Sequence, residues 1–380
     1  MNLSRHFLGG KRRIIGLDIL RSIAILLVMH EHGTALLPRQ IRKFISFPQP
    51  SIDGVSIFFV LSGFLIGGIL LKTIQESGFA VKTILNFWIR RWLRTIPNYI
   101  FVLIILVVIE FLLLKNHDDF SFKYLLFSQN LCQPHPTFFP EAWSLSIEEW
   151  FYLSFPIFTY IAFKVLKNKN KSVIIVAVIF LIIPLVARAL KYSLSVETSN
   201  WDVDFRKIVI LRLDSIMYGV IGAYISIFNR RVWLKARKAG LVLSTLIIAF
   251  LILYPLINTN IEIYRKVYHY NLQSISVFIA LPFFSELKSI HYRRLTNFFT
   301  FISLISYSMY LVNLTLVRDI IAPSIIKFTG WDYTHNSVNN LLLHITKFSI
   351  FWVLTLFISC LLYKFLEIPI MNLRDRIKIN

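Results

Sequence analysis

The chain has 380 residues, of which 56% are hydrophobic and 15% aromatic. With a mean hydropathy of +0.64, it is too apolar for a water-soluble protein and is predicted to cross a membrane several times. Its 41 Lys and Arg against 20 Asp and Glu form short clusters between apolar runs rather than one basic patch, which argues against nucleic-acid binding. Cys132 and Cys360 are expected at different depths, so both are predicted to be free thiols.

Ten stretches approach the roughly 20 mostly apolar residues that a spanning helix needs. They lie near residues 14–31, 55–72, 98–114, 150–166, 172–190, 208–228, 240–257, 271–285, 298–318 and 348–366. Lys and Arg are more frequent in the segments on the same side as the N-terminus, which predicts both termini in the cytoplasm. The expected fold is all-α and integral to the membrane, with about ten transmembrane helices around an interior cavity. No appended soluble domain is recognised, so residues 1–380 are expected to form a single domain.

The first span carries ionisable residues on one face. Arg21 and His32 are separated by about three helical turns, or about 16 Å, and Asp18 lies one turn before Arg21, so the three share a face. His30 points the opposite way, which disfavours a metal site formed with His32. Such a face is costly against lipid and should line an interior cavity, so it marks a candidate functional site. The predicted orientation puts Arg21 near mid-membrane and His32 near the outer surface.

The second span contains small residues at helical spacing: Ser62, Gly63, Gly67 and Gly68. Small side chains allow a neighbouring helix to approach closely. Close helix packing is the simpler interpretation. A channel for a narrow substrate is the alternative.

Arg91 and Arg94 lie one turn apart on a predicted interfacial helix before the third span. Both can face one anion, and a guanidinium group suits phosphate oxygens. Anchoring to anionic lipid headgroups is the alternative, because basic residues at an inner surface often have that role.

The loop from Lys115 to Glu149 is long enough to be functional. Its amphipathic segment, residues 120–131, is predicted either to lie in the membrane interface or to dip back into the protein. The loop ends in Trp143 and in two adjacent carboxylates, Glu148 and Glu149, which cannot face the same way on a helix. Acidic residues at a helix N-terminus can also simply complement its dipole.

Two later spans also carry polar groups. Arg212 and Asp214 are two residues apart and cannot face each other, so each is predicted to pair with a different helix. A structural ion pair is the alternative to a functional role. The ninth span carries serines and tyrosines between Ile302 and Asn313, a pattern that fits a helix facing a cavity.

Taken in order, these motifs resemble the membrane-bound acyltransferase family 3, whose members transfer acyl groups, often acetyl, to carbohydrates and some other acceptors. One departure is Asn313, where the family commonly has a histidine, so no role of that histidine is carried over. The matching elements are Leu17 through Arg21 and His32, Phe58 through Phe64, Arg91 with Arg94, Trp143 through Glu148, Arg212 through Asp214, Ile305 through Ser308, and Glu367 with Pro369.

The resemblance implies acetyl-CoA or another acyl-CoA as the donor, presented from the cytoplasm. It implies a hydroxyl of a cell-surface or lipid-linked carbohydrate as the acceptor, a multi-pass location in the lipid of a bacterial inner membrane, and no metal. Arg21, Arg91 and Arg94 are the candidate donor-binding residues. Supporting roles are assigned to Asp18, Ser62, Trp143, Arg212 and Asp214.

Acyl transfer to a hydroxyl needs a base, and His32 is the best candidate because a histidine is largely neutral at physiological pH. Glu148 is predicted to orient the His32 ring and to stabilise the imidazolium. Whether His32 acts as a base or as an acyl carrier stays open, as does the oligomeric state. The alternative function is a transporter or flippase that uses the buried Arg, His and Asp residues as a proton or substrate pathway.

Overall fold

The computed structural model describes residues 13–46, 52–77, 79–114, 120–194, 199–258, 260–328 and 337–376, and within these ranges every regular element is helical. The chain termini, on which the predicted topology partly rests, lie outside the described residues. The α-helices of the described part are α1 (Ile15–Thr34), α2 (Arg39–Ile45), α3 (Gly54–Ser77), α4 (Val81–Val108), α5 (Ala142–Leu166), α6 (Lys169–Leu194), α7 (Leu213–Phe228), α8 (Arg230–Ile257), α9 (His269–Glu286), α10 (Arg293–Val312), α11 (Ala322–Phe328), α12 (Ser337–Leu362) and α13 (Ile368–Arg376).

Helices occupy the ten predicted spans, although the sixth, 208–228, is α-helical only from Leu213. The prediction of an all-α, multi-pass membrane protein is confirmed. By length and composition, six helical segments of the described chain can cross a membrane. The number ten and the cytoplasmic location of both termini stay predictions. The six segments are Gly54–Glu76, Val81–Ile109, Lys169–Leu194, Arg230–Ile257, Arg293–Phe328 and Leu341–Arg374.

Two helices begin earlier than predicted. The interfacial helix expected around Arg91 is not separate from the third span, because α4 runs from Val81 through Pro97 as one helix. A proline inside such a helix is tolerated when neighbouring groups satisfy the freed carbonyl. Helix α5 begins at Ala142, eight residues before its predicted start, so Glu148 lies within the helix. These extensions carry charged side chains into the bundle interior.

The interpretation of Gly63 as a packing residue is correct. A Cβ atom on Gly63 would lie 1.9 Å from the carbonyl oxygen of Ile216, and one on Gly219 would lie 2.0 Å from that of Val60. Helices α3 and α7 therefore approach so closely that only glycine fits at either point. Ser62, the neighbour of Gly63, faces a different direction and lines a cavity.

The loop before α5 dips back into the protein. Tyr124 is fully buried and its carbonyl accepts a hydrogen bond from the Tyr99 hydroxyl at 3.0 Å. The Asn130 side-chain amide donates to the carbonyls of Trp143 at 3.0 Å and Lys207 at 2.6 Å. This loop thus fixes the start of α5 against the segment before α7. Residues 115–119 of the predicted loop lie outside the described part. Cys132 and Cys360 are both free thiols, as predicted.

We expect Gly63→Ala to lower the free energy of unfolding by about 1–3 kcal/mol, because the added methyl group must displace the α7 backbone. Gly68→Ala is the matched control on the same helix, since its Cβ would lie 3.7 Å from that of Ala223, an ordinary contact. Thermal unfolding of both purified variants in detergent checks this. Equal melting temperatures for the two variants would show that the α3–α7 approach is looser than described.

Candidate active site

The polar face predicted for α1 is confirmed, because its residues contact α10 and the turns that follow it. The Asp18 carboxylate accepts hydrogen bonds from Ser303 at 2.8 Å and from Arg13 at 2.5 Å. Arg21 donates a long hydrogen bond of 3.5 Å to Ser303. These hydrogen bonds form a seam between α1 and α10 that keeps the polar face away from lipid. An Arg13–Asp18 ion pair lies at the start of the seam.

Beside Arg21, this contact between α1 and α10 borders a cavity of about 90 Å³, here called the arginine cavity. Helices α1, α3, α4, α5 and α10 all contribute to its wall. Its apolar lining includes Val55, Phe58 and Phe59. Its polar lining is Arg21, Ser62, Arg91, Arg94, Thr95, Ser144, Glu148, Ser306, Tyr307 and Tyr310.

Glu148 and Arg91 form a buried ion pair at this cavity. The Arg91 Nη2 to Glu148 Oε2 distance is 2.8 Å, and the two side chains are 9% and 12% exposed. Ser62 donates to Glu148 Oε1 at 3.0 Å and Tyr152 donates to Oε2 at 3.0 Å. Both carboxylate oxygens therefore have partners, as a buried carboxylate requires. The Arg91 guanidinium also lies 4.4 Å from the centre of the Tyr152 ring.

Arg94 and Arg21 make fewer hydrogen bonds than Arg91 does. Arg94 makes no hydrogen bond to any residue that the structure describes, and Arg21 makes only its long contact to Ser303. The nearby carboxylate of Glu367 is held by Asn98 at 3.3 Å and by Ser308 at 3.2 Å. With Arg91 neutralised by Glu148, two guanidinium groups keep free donors at the cavity. This arrangement favours binding of an anion.

A second cavity, of about 350 Å³, lies at the C-terminal end of α1 and is here called the histidine cavity. Val55 and Tyr310 line both cavities, so the two share a wall. The Tyr310 hydroxyl lies 2.6 Å from Ser144 Oγ and donates to the Glu141 carbonyl at 3.1 Å, which fixes this wall to α5. The polar and aromatic lining is Glu31, His32, Glu141, Trp143, Asn200, Trp201, Asp202, Arg206, Lys207 and Tyr310.

The predicted contact between Glu148 and His32 is wrong. His32 Nδ1 instead lies 2.5 Å from Asn313 Oδ1, and Glu148 lines the other cavity. The cause is the early start of α5, because six residues of helix after Ala142 carry Glu148 about 9 Å from the helix end. The expectation that His30 and His32 face apart is confirmed, since His30 Nε2 lies 2.9 Å from the Ile45 carbonyl.

The histidine cavity is also lined by members of an ion cluster that the sequence did not indicate. Arg206 bridges Asp53 at 3.0 Å and Asp202 at 2.7 Å, and its guanidinium lies 4.9 Å from the Trp143 ring centre. Lys207 lies 2.5 Å from Asp202. Burial disfavours the Asp202 carboxylate, but Arg206 and Lys207 outweigh it and lower its pKa to about 2. The four-residue step from Asp202 to Arg206 was the one available signal.

Glu141 was also not recognised from the sequence. Its Oε1 accepts hydrogen bonds from the backbone N–H groups of Leu314 at 3.1 Å and Thr315 at 2.7 Å. Its Oε2 accepts from the Thr315 hydroxyl at 2.5 Å. The residue thereby ties the start of α5 to the turns that follow α10. No spacing in the sequence relates positions this far apart.

Arg212 and Asp214 pair with different helices, as predicted. Asp214 lies 2.6 Å from Arg188 of α6, with both side chains fully buried, and Arg212 donates to Ser56 of α3 at 2.9 Å. The Arg212 guanidinium also lies 4.3 Å from the Tyr270 ring centre. Neither residue is part of the described lining of the two cavities, so their contacts support the bundle. Arg188 was not singled out in the sequence.

Comparison with known proteins gives one family and several relatives. The family model described as an acyltransferase domain matches residues 14–364, which confirms the resemblance inferred from the motifs. The peptidoglycan O-acetyltransferase OatA of Listeria monocytogenes is 32% identical over 176 residues, or 42% of this chain and 26% of that protein. A Staphylococcus aureus protein provisionally named an O-acetyltransferase is 33% identical over 45% of this chain and 29% of its own length.

A Bacillus subtilis protein, provisionally named a peptidoglycan O-acetyltransferase, is 29% identical over 45% of this chain and 27% of its own length. The chain thus aligns with less than a third of the length of these relatives. No solved structure gives a significant match to the chain.

We expect Arg91→Ala to lower the free energy of unfolding by about 3–5 kcal/mol, because it leaves Glu148 buried without its cation. Arg94→Ala removes a group with no hydrogen bond to the described residues and should cost little. Thermal unfolding in detergent compares the two. The double variant Arg91→Met, Glu148→Gln should recover part of the lost stability, and its failure to do so would count against the ion pair as the cause.

Proposed function

This chain belongs to the acyltransferase domain family, and we propose that it transfers an acyl group, acetyl in the first instance, from cytoplasmic acyl-CoA to a hydroxyl of a cell-envelope carbohydrate. The observation that carries the proposal is the pair of cavities with one shared wall. Two guanidinium groups with free donors lie on one side of that wall, and a histidine lies on the other.

The arginine cavity is the proposed site for one segment of the donor, because its volume of about 90 Å³ is below that of a pocket that encloses a whole small-molecule ligand. An acyl-CoA carries several phosphate groups, and a guanidinium group binds phosphate oxygens through paired N–H donors. Arg94 and Arg21 are the residues available for this contact, because Arg91 is already paired with Glu148. In this proposal Arg91 stabilises the wall of the donor site through its ion pair with Glu148 and does not bind the phosphates. The apolar residues Phe58 and Phe59 suit the acyl chain and the uncharged arm of the donor.

The histidine cavity is the proposed acceptor site. Its volume lies within the range of small-molecule cavities, and it offers both aromatic faces and polar groups. Trp201 can cover an apolar face of a sugar ring, while Asn200 and Asp202 can hydrogen-bond its hydroxyls. Peptidoglycan is the first acceptor to test, because two of the relatives are named for it.

The proposed chemistry is direct transfer with His32 as the general base. His32 Nε2 takes the proton of the acceptor hydroxyl as the oxygen attacks the thioester carbonyl carbon. The carbon–sulfur bond then breaks, and the thiolate of coenzyme A leaves and takes the proton back from the imidazolium. The acyl end of the donor would reach His32 past Val55 and Tyr310, which line both cavities.

The protein reconstituted in lipid vesicles with labelled acetyl-CoA and a muropeptide tests this function. We expect label to appear on the muropeptide as an alkali-labile ester. Movement of the muropeptide across the vesicle membrane without any acylation would instead favour a flippase and overturn the proposal.

We expect His32→Ala to reduce acyl transfer by about 10²- to 10⁴-fold, the usual contribution of a general base. His30→Ala is the matched control, because it removes the other histidine of the same turn, which faces Ile45. The measurement is the initial rate of ester formation, with expression and melting temperature compared for both variants. A fully active His32→Ala protein would show that His32 is not the base.

We expect Arg94→Ala to raise the KM for acetyl-CoA about tenfold, as the loss of one charge-assisted contact predicts, while kcat changes little. Arg90→Ala is the matched control on the same helix, because Arg90 is exposed. Steady-state kinetics in vesicles of neutral lipid measure both variants. If both raise KM equally, the arginines act as general surface charge rather than as a donor site.

A further inference from the structure

Asn313 lies where the regular α-helix α10 ends and wider turns, Asn313–Ile321, begin. The side chain is fully buried. Its Nδ2 donates hydrogen bonds to the carbonyls of Met309 at 3.0 Å and Tyr310 at 2.8 Å. Both N–H groups of the amide are therefore used by the end of α10.

These two bonds determine which atom of Asn313 faces His32. A reversed amide would set its oxygen against two carbonyl oxygens, so the nitrogen must face them and Oδ1 must face the ring. Oδ1 can only accept a hydrogen bond. His32 Nδ1, at 2.5 Å from Oδ1, must therefore carry the proton in the neutral ring.

We propose that Asn313 is a positioning residue that fixes neutral His32 in the Nδ1–H tautomer and leaves the Nε2 lone pair free at the histidine cavity. Nε2 makes no hydrogen bond to any residue that the structure describes, so it is the ring atom that can accept a proton from an acceptor hydroxyl. The role of that proton transfer rests on the proposed function, whereas the tautomer assignment does not.

The start of α5 holds Asn313 in place. The Glu141 carboxylate accepts from the backbone of Leu314 and Thr315, directly after Asn313, and the Glu141 carbonyl accepts from Tyr310. The turn that carries the amide is thus clamped from α5 on one side and bonded to α1 through His32 on the other. An uncharged amide orients the ring without adding a carboxylate to a site that already contains Glu31 and Glu141.

Nitrogen-15 NMR of the 380-residue chain in lipid nanodiscs, without substrate, tests the tautomer directly. The protein has nine histidines, so the His32 signals are identified by difference from His32→Gln. We expect a protonated Nδ1 and an unprotonated Nε2 at a pH where the ring is neutral. A predominant Nε2–H tautomer would overturn the inference. An Nδ1–H tautomer in a protein that transfers no acyl group would instead refute only the proposed function.

Asn313→Leu removes the acceptor at similar volume, and we expect the His32 signal to move towards the Nε2–H tautomer. The same variant should lose about tenfold in kcat with little change in either KM, because His32 is still present but is no longer held in the reactive tautomer, and the binding sites are unchanged. An unchanged Nδ1–H signal in this variant would overturn the assignment to Asn313. If the variant does not fold, the wild-type spectrum still decides the tautomer.

Ser308→Ala is the matched control for Asn313→Leu. It removes a buried side-chain hydrogen bond of the same helix, to Glu367 at 3.2 Å, but does not touch His32. We expect it to lower the melting temperature without moving the His32 signals. A tautomer change in Ser308→Ala would show that general loosening of α10, and not the Asn313 acceptor, sets the ring, and would overturn the proposal.

Discussion

The constraint on which this structure depends is that a charged side chain in an apolar helical bundle must be paired or must face a cavity. Arg188 and Asp214 meet it as a fully buried pair, and Arg91 and Glu148 meet it as a nearly buried one. Arg94 and Arg21 meet it differently, because they face a cavity with donors to spare. The same rule thus separates charges that hold the helices together from charges left for a ligand.

Different residues in and directly after α10 contact the two ends of the polar face of α1. Ser303 binds the Asp18 side of α1, and Asn313 binds His32 at the other end of the same helix. Between them, Tyr307 and Tyr310 line the arginine cavity. Because Ser303 of α10 contacts Asp18 and Asn313, directly after α10, contacts His32, the two cavities lie in a fixed order along α1.

Local geometry was predictable from the sequence, and contacts between distant segments were not. The shared face of Asp18, Arg21 and His32 follows from helical phase alone, and the structure agrees. The expected contact of Glu148 with His32 failed because it depended on where α5 begins, and apolar content marked the start eight residues late. Arg206 and Glu141 were missed because their partners, Asp53 and the Leu314–Thr315 backbone, lie far away in the chain and share no spacing with them.

In the proposed function, the division into two cavities separates the acyl donor from the carbohydrate acceptor. A carbohydrate site must admit a hydrated acceptor, whereas a site that activates an acyl donor for attack must keep water from hydrolysing it. The shared wall meets both demands, because Tyr310 is bonded to Ser144 and to the Glu141 carbonyl. Passage of an acyl group past this wall would require those bonds at the start of α5 to yield. Glu141 also clamps the turn that carries Asn313, so opening of the wall and orientation of His32 depend on the same short segment.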